Sequence, residues 1–197
     1  MIKASWTDAA EERLKRSALF HLLSGITPDV LTILGVAVSL LGAWAFAVGS
    51  FATGGLLILA GGIFDLFDGV VARHRGRVST FGGLLDSTAD RLVDMAVLLA
   101  IAFCYARRGA WLWVVVAGIA LIGSVLVSYI KARGENDVPG LGVGWFERGE
   151  RVGLIVAGGI LGLMPLALLL LAGGTWWTAG QRLSLARQKM DARDAAA

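Results

Sequence analysis

A chain of 197 residues has room for one domain, and its 56% hydrophobic and 17% charged residues exclude an ordinary soluble globular protein, in which about a quarter of residues are charged. A net charge of +3 and a pI near 9.4 accompany a mean hydropathy of +0.72, so the basic residues serve anionic lipid and topology, not nucleic acid. The single Cys104 excludes an intrachain disulfide and argues against a thiolate metal site.

Residues 1–24 hold Lys3, Asp8, Glu11, Glu12, Arg13, Lys15 and Arg16, and lack the apolar core and cleavage site of a signal peptide. They read as an amphipathic helix lying on the cytoplasmic face of a membrane. Apolar runs follow at 30–49, 53–73, 83–106 and 111–132, each long enough to span a bilayer. The region 151–183 is too long for one span, and Pro165 divides it and its flanks into helices near 148–164 and 166–188. The expected fold is therefore all-α. It is an integral membrane domain of six transmembrane helices over 25–190, preceded by the surface helix and followed by a short polar tail at 191–197. With both ends inside, sixteen Lys and Arg residues fall at the cytoplasmic end and only Arg107 and Arg108 at the other, which orients a multi-pass protein of the cytoplasmic membrane.

Against this background the stretch from Phe64 to Asp90 is anomalous. Asp65 and Asp68 are three apart and Asp86 and Asp90 four apart, so each pair projects from one face of a helix. A polar linker with Arg73, Arg75 and Arg77 allows the chain to turn between them, which would bring the four carboxylates together near the cytoplasmic surface. Acids in a membrane can relay protons or pair with neighbours such as Arg91 and Arg73. Four together repel unless a cation lies among them, and hard divalent ions such as Mg²⁺ take all-oxygen ligands of this kind together with phosphate oxygens.

The spacing D-x2-D-G-x2-A-R-x8-G-x3-D-x3-D is met by Asp65, Asp68, Gly69, Ala72, Arg73, Gly82, Asp86 and Asp90, eight fixed positions over 26 residues. It resembles the signature of the CDP-alcohol phosphotransferases, and the likeness extends along nearly the whole chain. The resemblance implies attack of an alcohol on a CDP-linked lipid, CDP-diacylglycerol, with release of CMP. It implies two ions of Mg²⁺ or Mn²⁺ on Asp65, Asp68, Asp86 and Asp90, with Asp90 also accepting the alcohol proton. It further implies nucleotide contacts by Gly69, Ala72, Arg73 and Ser79 and, at the start of the first span, by Asp29, Val30, Leu31 and Thr32. On residue chemistry alone, Thr27-Pro28-Asp29 is a good helix start, and Gly69 and Ala72 could be packing residues.

Three later stretches, at 127–135, 144–151 and 181–187, bring Lys131, Arg133, Arg148, Arg151, Arg182 and Arg187 to one mouth, more positive charge than a neutral acceptor needs. They are similar to stretches of the phosphatidylinositol phosphate synthases, which implies inositol 1-phosphate as acceptor, held by Lys131, Arg148 and Arg182, and a homodimer. Gly149, Gly134 and Thr80 depart from that pattern. Glycerol 3-phosphate is the alternative acceptor, since it too carries a phosphate. From another class, a small ion or proton transporter would use the same acids as relays, without nucleotide.

Overall fold

In the computed structural model, residues 20, 25–74 and 79–195 are described. Among them the regular structure is six α-helices: α1 Pro28–Ala47, α2 Phe51–His74, α3 Thr80–Arg107, α4 Trp111–Gly134, α5 Arg148–Ile160 and α6 Met164–Asp194. The all-α expectation holds. The surface helix expected at 1–24 lies outside the described residues apart from Phe20, whose ring meets His74 edge-on at 5.4 Å and packs with Leu31, Phe67, Val70 and Val71.

Three hairpins turn by the same device. Gly49, Gly109 and Gly162 follow the last helical residues of α1, α3 and α5 with φ of +90°, +69° and +70°. Glycine carries no Cβ to oppose that left-handed conformation, which closes a helix C-terminus by returning N–H groups to its last carbonyls. Gly162, not Pro165, therefore makes the turn between α5 and α6. Pro165 stands in the first turn of α6, where its missing N–H costs nothing. At the far end α6 runs on through Asp194, so the tail expected from 191 is helical over its first residues, and Arg193 donates to the Asp137 carbonyl at 3.2 Å.

The helices pack as a closed ring in the order α1, α2, α5, α6, α4, α3. Apolar burial drives helix association weakly in lipid, so close van der Waals contact must hold such a ring. Gly35 faces Gly61 and Gly42 faces Gly54 along the antiparallel α1–α2 seam. A Cβ on Gly35 would come within 3.1 Å of the Gly61 carbonyl, and one on Gly42 within 3.1 Å of the Gly54 carbonyl. The largest apolar cluster, with Phe46, Leu98, Ile101, Leu168 and Leu171 fully buried, fills the hairpin end of the ring. Polar side chains collect at the opposite end.

By length and composition α1, α2 and α4 are apolar enough to cross a membrane. The first half of α3 is loaded with Asp86, Asp90, Arg91 and Asp94, and α5 has only 13 residues, about 20 Å at helical rise.

Candidate active site

The polar end is assembled from opposed helix ends. Asp65 and Asp68 lie in the last turns of α2, and Asp86, Asp90 and Asp94 form an i, i+4, i+8 row on the early turns of α3. Ser79 caps α3 by accepting from the Gly82 N–H at 2.9 Å. One carboxylate oxygen from each of Asp65, Asp68 and Asp86 lies within 4.8 Å of the others. Asp68 is 7% exposed, and its Oδ2 accepts a 2.5 Å hydrogen bond from Thr32 Oγ1 on α1. Three converging carboxylates offer hard oxygen donors alone, and this set fits Mg²⁺ or Mn²⁺.

Asp90 differs from the other three. It does not join their oxygen cluster. Arg148, the first residue of α5, reaches across the ring: its Nη1 donates to Asp65 Oδ2 at 2.7 Å, and its Nη2 lies 2.8 Å from Asp90 Oδ1. The second contact lacks hydrogen-bond alignment, and among the described residues both Asp90 Oδ1 and Arg148 Nε are buried without a hydrogen-bond partner. Of the four carboxylates expected as one set, Asp65, Asp68 and Asp86 converge, and Arg148 links Asp65 of that triad to Asp90 beside it.

Two hollows flank these acids. The first, of about 310 Å³, is lined by Asp29, Thr32, Gly69, Ala72, Arg73 and Ser79 beside Asp68 and Asp86. All but two of the expected nucleotide contacts meet here. Arg73 folds back over Gly69, where an added Cβ would sit 3.4 Å from its Nη1. The two exceptions are Val30, which is 45% exposed, and Leu31, which is fully buried in the Phe20–Phe67 cluster. Helical periodicity explains them: positions 28, 29 and 32 share one face of α1, whereas 30 and 31 turn away from it.

The second hollow, of about 360 Å³, is lined by Asp90, Lys131, Arg148, Arg151 and Arg182 among its charged groups. It therefore unites the three expected acceptor cations, although their states differ. Among the described residues Lys131 has no carboxylate partner. Arg182 is 2% exposed, donates to the Val143 and Val127 carbonyls at 2.9 Å each, and pairs with Glu147 at 3.3 Å. Its first task is to hold the α4–α5 loop. Arg151, which the sequence groups with the others as one more basic residue, is buried in the floor. Its Nη2 donates to Asp94 Oδ2 at 2.8 Å and its Nη1 to the Phe146 carbonyl at 3.1 Å. A sequence signal for this pair existed: Asp94 continues the four-residue rhythm of Asp86 and Asp90, and Arg151 stands one turn beyond Arg148. The hollows meet at α3, where Asp86 borders the first and Asp90, one turn on, borders the second.

Residues 25–180 match the CDP-alcohol phosphatidyltransferase family. The chain belongs to that family. It is accordingly a CDP-alcohol phosphotransferase. It is 38% identical over 168 residues to the archaetidylinositol phosphate synthase of Pyrococcus horikoshii, covering 85% of this chain and 87% of that one. It is 37% identical to the phosphatidylinositol phosphate synthase of Streptomyces avermitilis, over 91% of this chain and 80% of the other. A crystal structure of the Mycobacterium tuberculosis phosphatidylinositol phosphate synthase with CDP-DAG bound superposes with a TM-score of 0.76 at 32% identity, covering 85% of this chain and 91% of that one. A second structure of that enzyme, in complex with manganese and citrate, gives the same TM-score and identity, covering 85% and 87%.

Proposed function

We propose that this CDP-alcohol phosphotransferase moves the phosphatidyl group of CDP-diacylglycerol onto inositol 1-phosphate and releases CMP. One observation carries the choice of acceptor: a hollow with Lys131, Arg148, Arg151 and Arg182 on its walls opens one helical turn from the carboxylate triad. With Arg91 the lining holds five cations against the four carboxylates Asp90, Asp94, Glu135 and Glu147, and a surplus of cations suits a second substrate that brings its own phosphate. The names of the relatives support inositol phosphate over glycerol 3-phosphate, because the archaetidyl and phosphatidyl synthases differ in lipid and share that acceptor. The nucleotide-side hollow and the family match likewise speak against the ion transporter.

Asp65, Asp68 and Asp86 would hold divalent metal, Mg²⁺ or Mn²⁺, as two ions were Asp90 to join them on substrate binding. Bound there, the metal neutralises the pyrophosphate and polarises the phosphoryl oxygens. The chain's own groups do the rest. Asp29, Gly69, Ala72, Arg73 and Ser79 seat the cytidine diphosphate in the hollow beside the triad, while Thr32, on the same wall, holds Asp68. Lys131, Arg148 and Arg182, with Arg151 behind them, draw the acceptor phosphate to the other side. Asp90 stands at the border of the two hollows, where it can take the proton of the attacking hydroxyl as that hydroxyl meets phosphorus.

The topology is six passes with both termini cytoplasmic, supported by the sixteen-to-two distribution of Lys and Arg and by hairpin turns gathered at the opposite end. The protein works as a homodimer, which crosslinking in membranes would test. Asp65→Asn and Asp86→Asn should each abolish CMP release while leaving the detergent-purified protein folded. Lys131→Gln should raise the KM for inositol 1-phosphate with little change in that for CDP-diacylglycerol. Normal turnover by either Asp variant would overturn the metal assignment, and equal KM effects on both substrates would make Lys131 a topology anchor.

A further inference from the structure

Arg148 touches both halves of the site, and this position has a consequence for the order in which the site fills. Its guanidinium spans Asp65 on α2, a member of the carboxylate triad, and Asp90 on α3, which borders the acceptor hollow. All three side chains are partly withdrawn from solvent, at 30%, 27% and 15% exposure, so the charges are poorly screened. A guanidinium prefers two parallel hydrogen bonds to one anion, yet here it is split between two acids, with one contact misaligned and its Nε without a partner among the described residues. The same residue is counted among the walls of the acceptor hollow and of the apolar groove beside Asp65.

We infer that Arg148 is a switch coupling the two sites: it competes with the divalent cation for Asp65, and cation binding at the triad turns it toward the acceptor's phosphate. The inference rests on the triad being the metal site and the cationic hollow the acceptor site. The physics is that of a shared ligand. Electron density that Asp65 gives to a divalent ion is withdrawn from its bond to Arg148, and the ion repels the guanidinium at short range. The freed edge of Arg148 then faces the cavity, where Lys131 already lies. Acceptor binding is thereby strengthened by metal, and, since coupling is reciprocal, acceptor strengthens metal binding. Phosphorylated acceptor therefore binds more weakly until the donor side is charged with metal.

The test separates this from a merely structural role, because removing the competitor should tighten metal binding. Mn²⁺ affinity is measured by the electron paramagnetic resonance of free Mn²⁺, without substrate, for the full chain and for Arg148→Gln and Arg148→Lys. The expected result is Mn²⁺ binding about tenfold tighter in Arg148→Gln, within the usual range of a coupling free energy, with Arg148→Lys between that and the wild type. Equal or weaker binding in Arg148→Gln overturns the inference. As a check that needs no variant, inositol 1-phosphate is titrated calorimetrically into the wild type with and without saturating Mn²⁺. A gain of about tenfold is expected, and an affinity indifferent to Mn²⁺ overturns the switch even if Arg148→Gln fails to fold. Failure of the underlying assignment looks different: the wild type would bind no Mn²⁺ that Asp86→Asn abolishes.

Discussion

Thr32 offers the sharpest separation between touching substrate and positioning a ligand. The resemblance assigns it to the nucleotide, whereas its hydroxyl lies 2.5 Å from Asp68 Oδ2 and 3.2 Å from the Pro28 carbonyl. A hydroxyl has one hydrogen, and the shorter contact to a charged acceptor takes it. Both residues are 7% exposed, so water does not readily replace the bond. A hydrogen bond to a charged group contributes about 1.5–3 kcal/mol. Spent on fixing Asp68 among the triad, that corresponds to roughly a 10- to 100-fold loss of metal affinity, the range seen when outer partners of metal ligands are removed. Thr32→Val keeps the shape and deletes the donor; Thr32→Ser keeps the donor. The assay is CMP release as a function of Mn²⁺ concentration at saturating CDP-diacylglycerol, paired with direct Mn²⁺ binding. Thr32→Val should raise half-saturating Mn²⁺ by that factor, Thr32→Ser should restore it, and the KM for CDP-diacylglycerol should move little. A raised liponucleotide KM with unchanged metal dependence would refute the reasoning and return Thr32 to the nucleotide.

The Arg151–Asp94 pair, 4% and 12% exposed, should behave as a buried ion pair. Arg151→Met alone should cost about 3–5 kcal/mol of stability by stranding Asp94, and the double variant with Asp94→Leu should recover much of it; additive losses in thermal unfolding would deny the coupling. Gly61→Ala should destabilise by about 1–3 kcal/mol, because its Cβ would press on Ser39 and on the Gly35 carbonyl of α1. An unchanged melting temperature in detergent would mean that the α1–α2 seam is looser than described. Asp86→Asn should lose both CMP release and Mn²⁺ binding, whereas Asp90→Asn should keep Mn²⁺ binding within a few-fold and lose turnover. Equal loss of metal in both would return Asp90 to the ligand set.

The parts of the site that were legible in the sequence are those built from local spacing. The two Asp pairs, the intervening Gly-Ala-Arg and the apolar runs each repeat within a few helical turns, so α1 to α4 and the nucleotide-side hollow follow from them. Val30 and Leu31 could have been set apart by the same periodicity. What sequence did not reveal depends on contacts far apart along the chain. Arg148 reaches Asp90 from 58 positions away, and Arg182 is committed to carbonyls 39 and 55 positions distant. Pro165 reads as a breaker in the sequence, although a proline in the first turn of a helix is no break at all; the left-handed Gly162 three positions earlier makes the turn.

The most direct measurement is CMP release by the purified protein with CDP-diacylglycerol and Mn²⁺, offering inositol 1-phosphate, glycerol 3-phosphate, free inositol and serine in separate reactions. Release with inositol 1-phosphate and with none of the others is the expected result, since only that acceptor joins a phosphate to the polyol named by the relatives. Release with glycerol 3-phosphate in preference would contradict the acceptor assignment, and release with free inositol or serine would deny the cationic hollow its purpose.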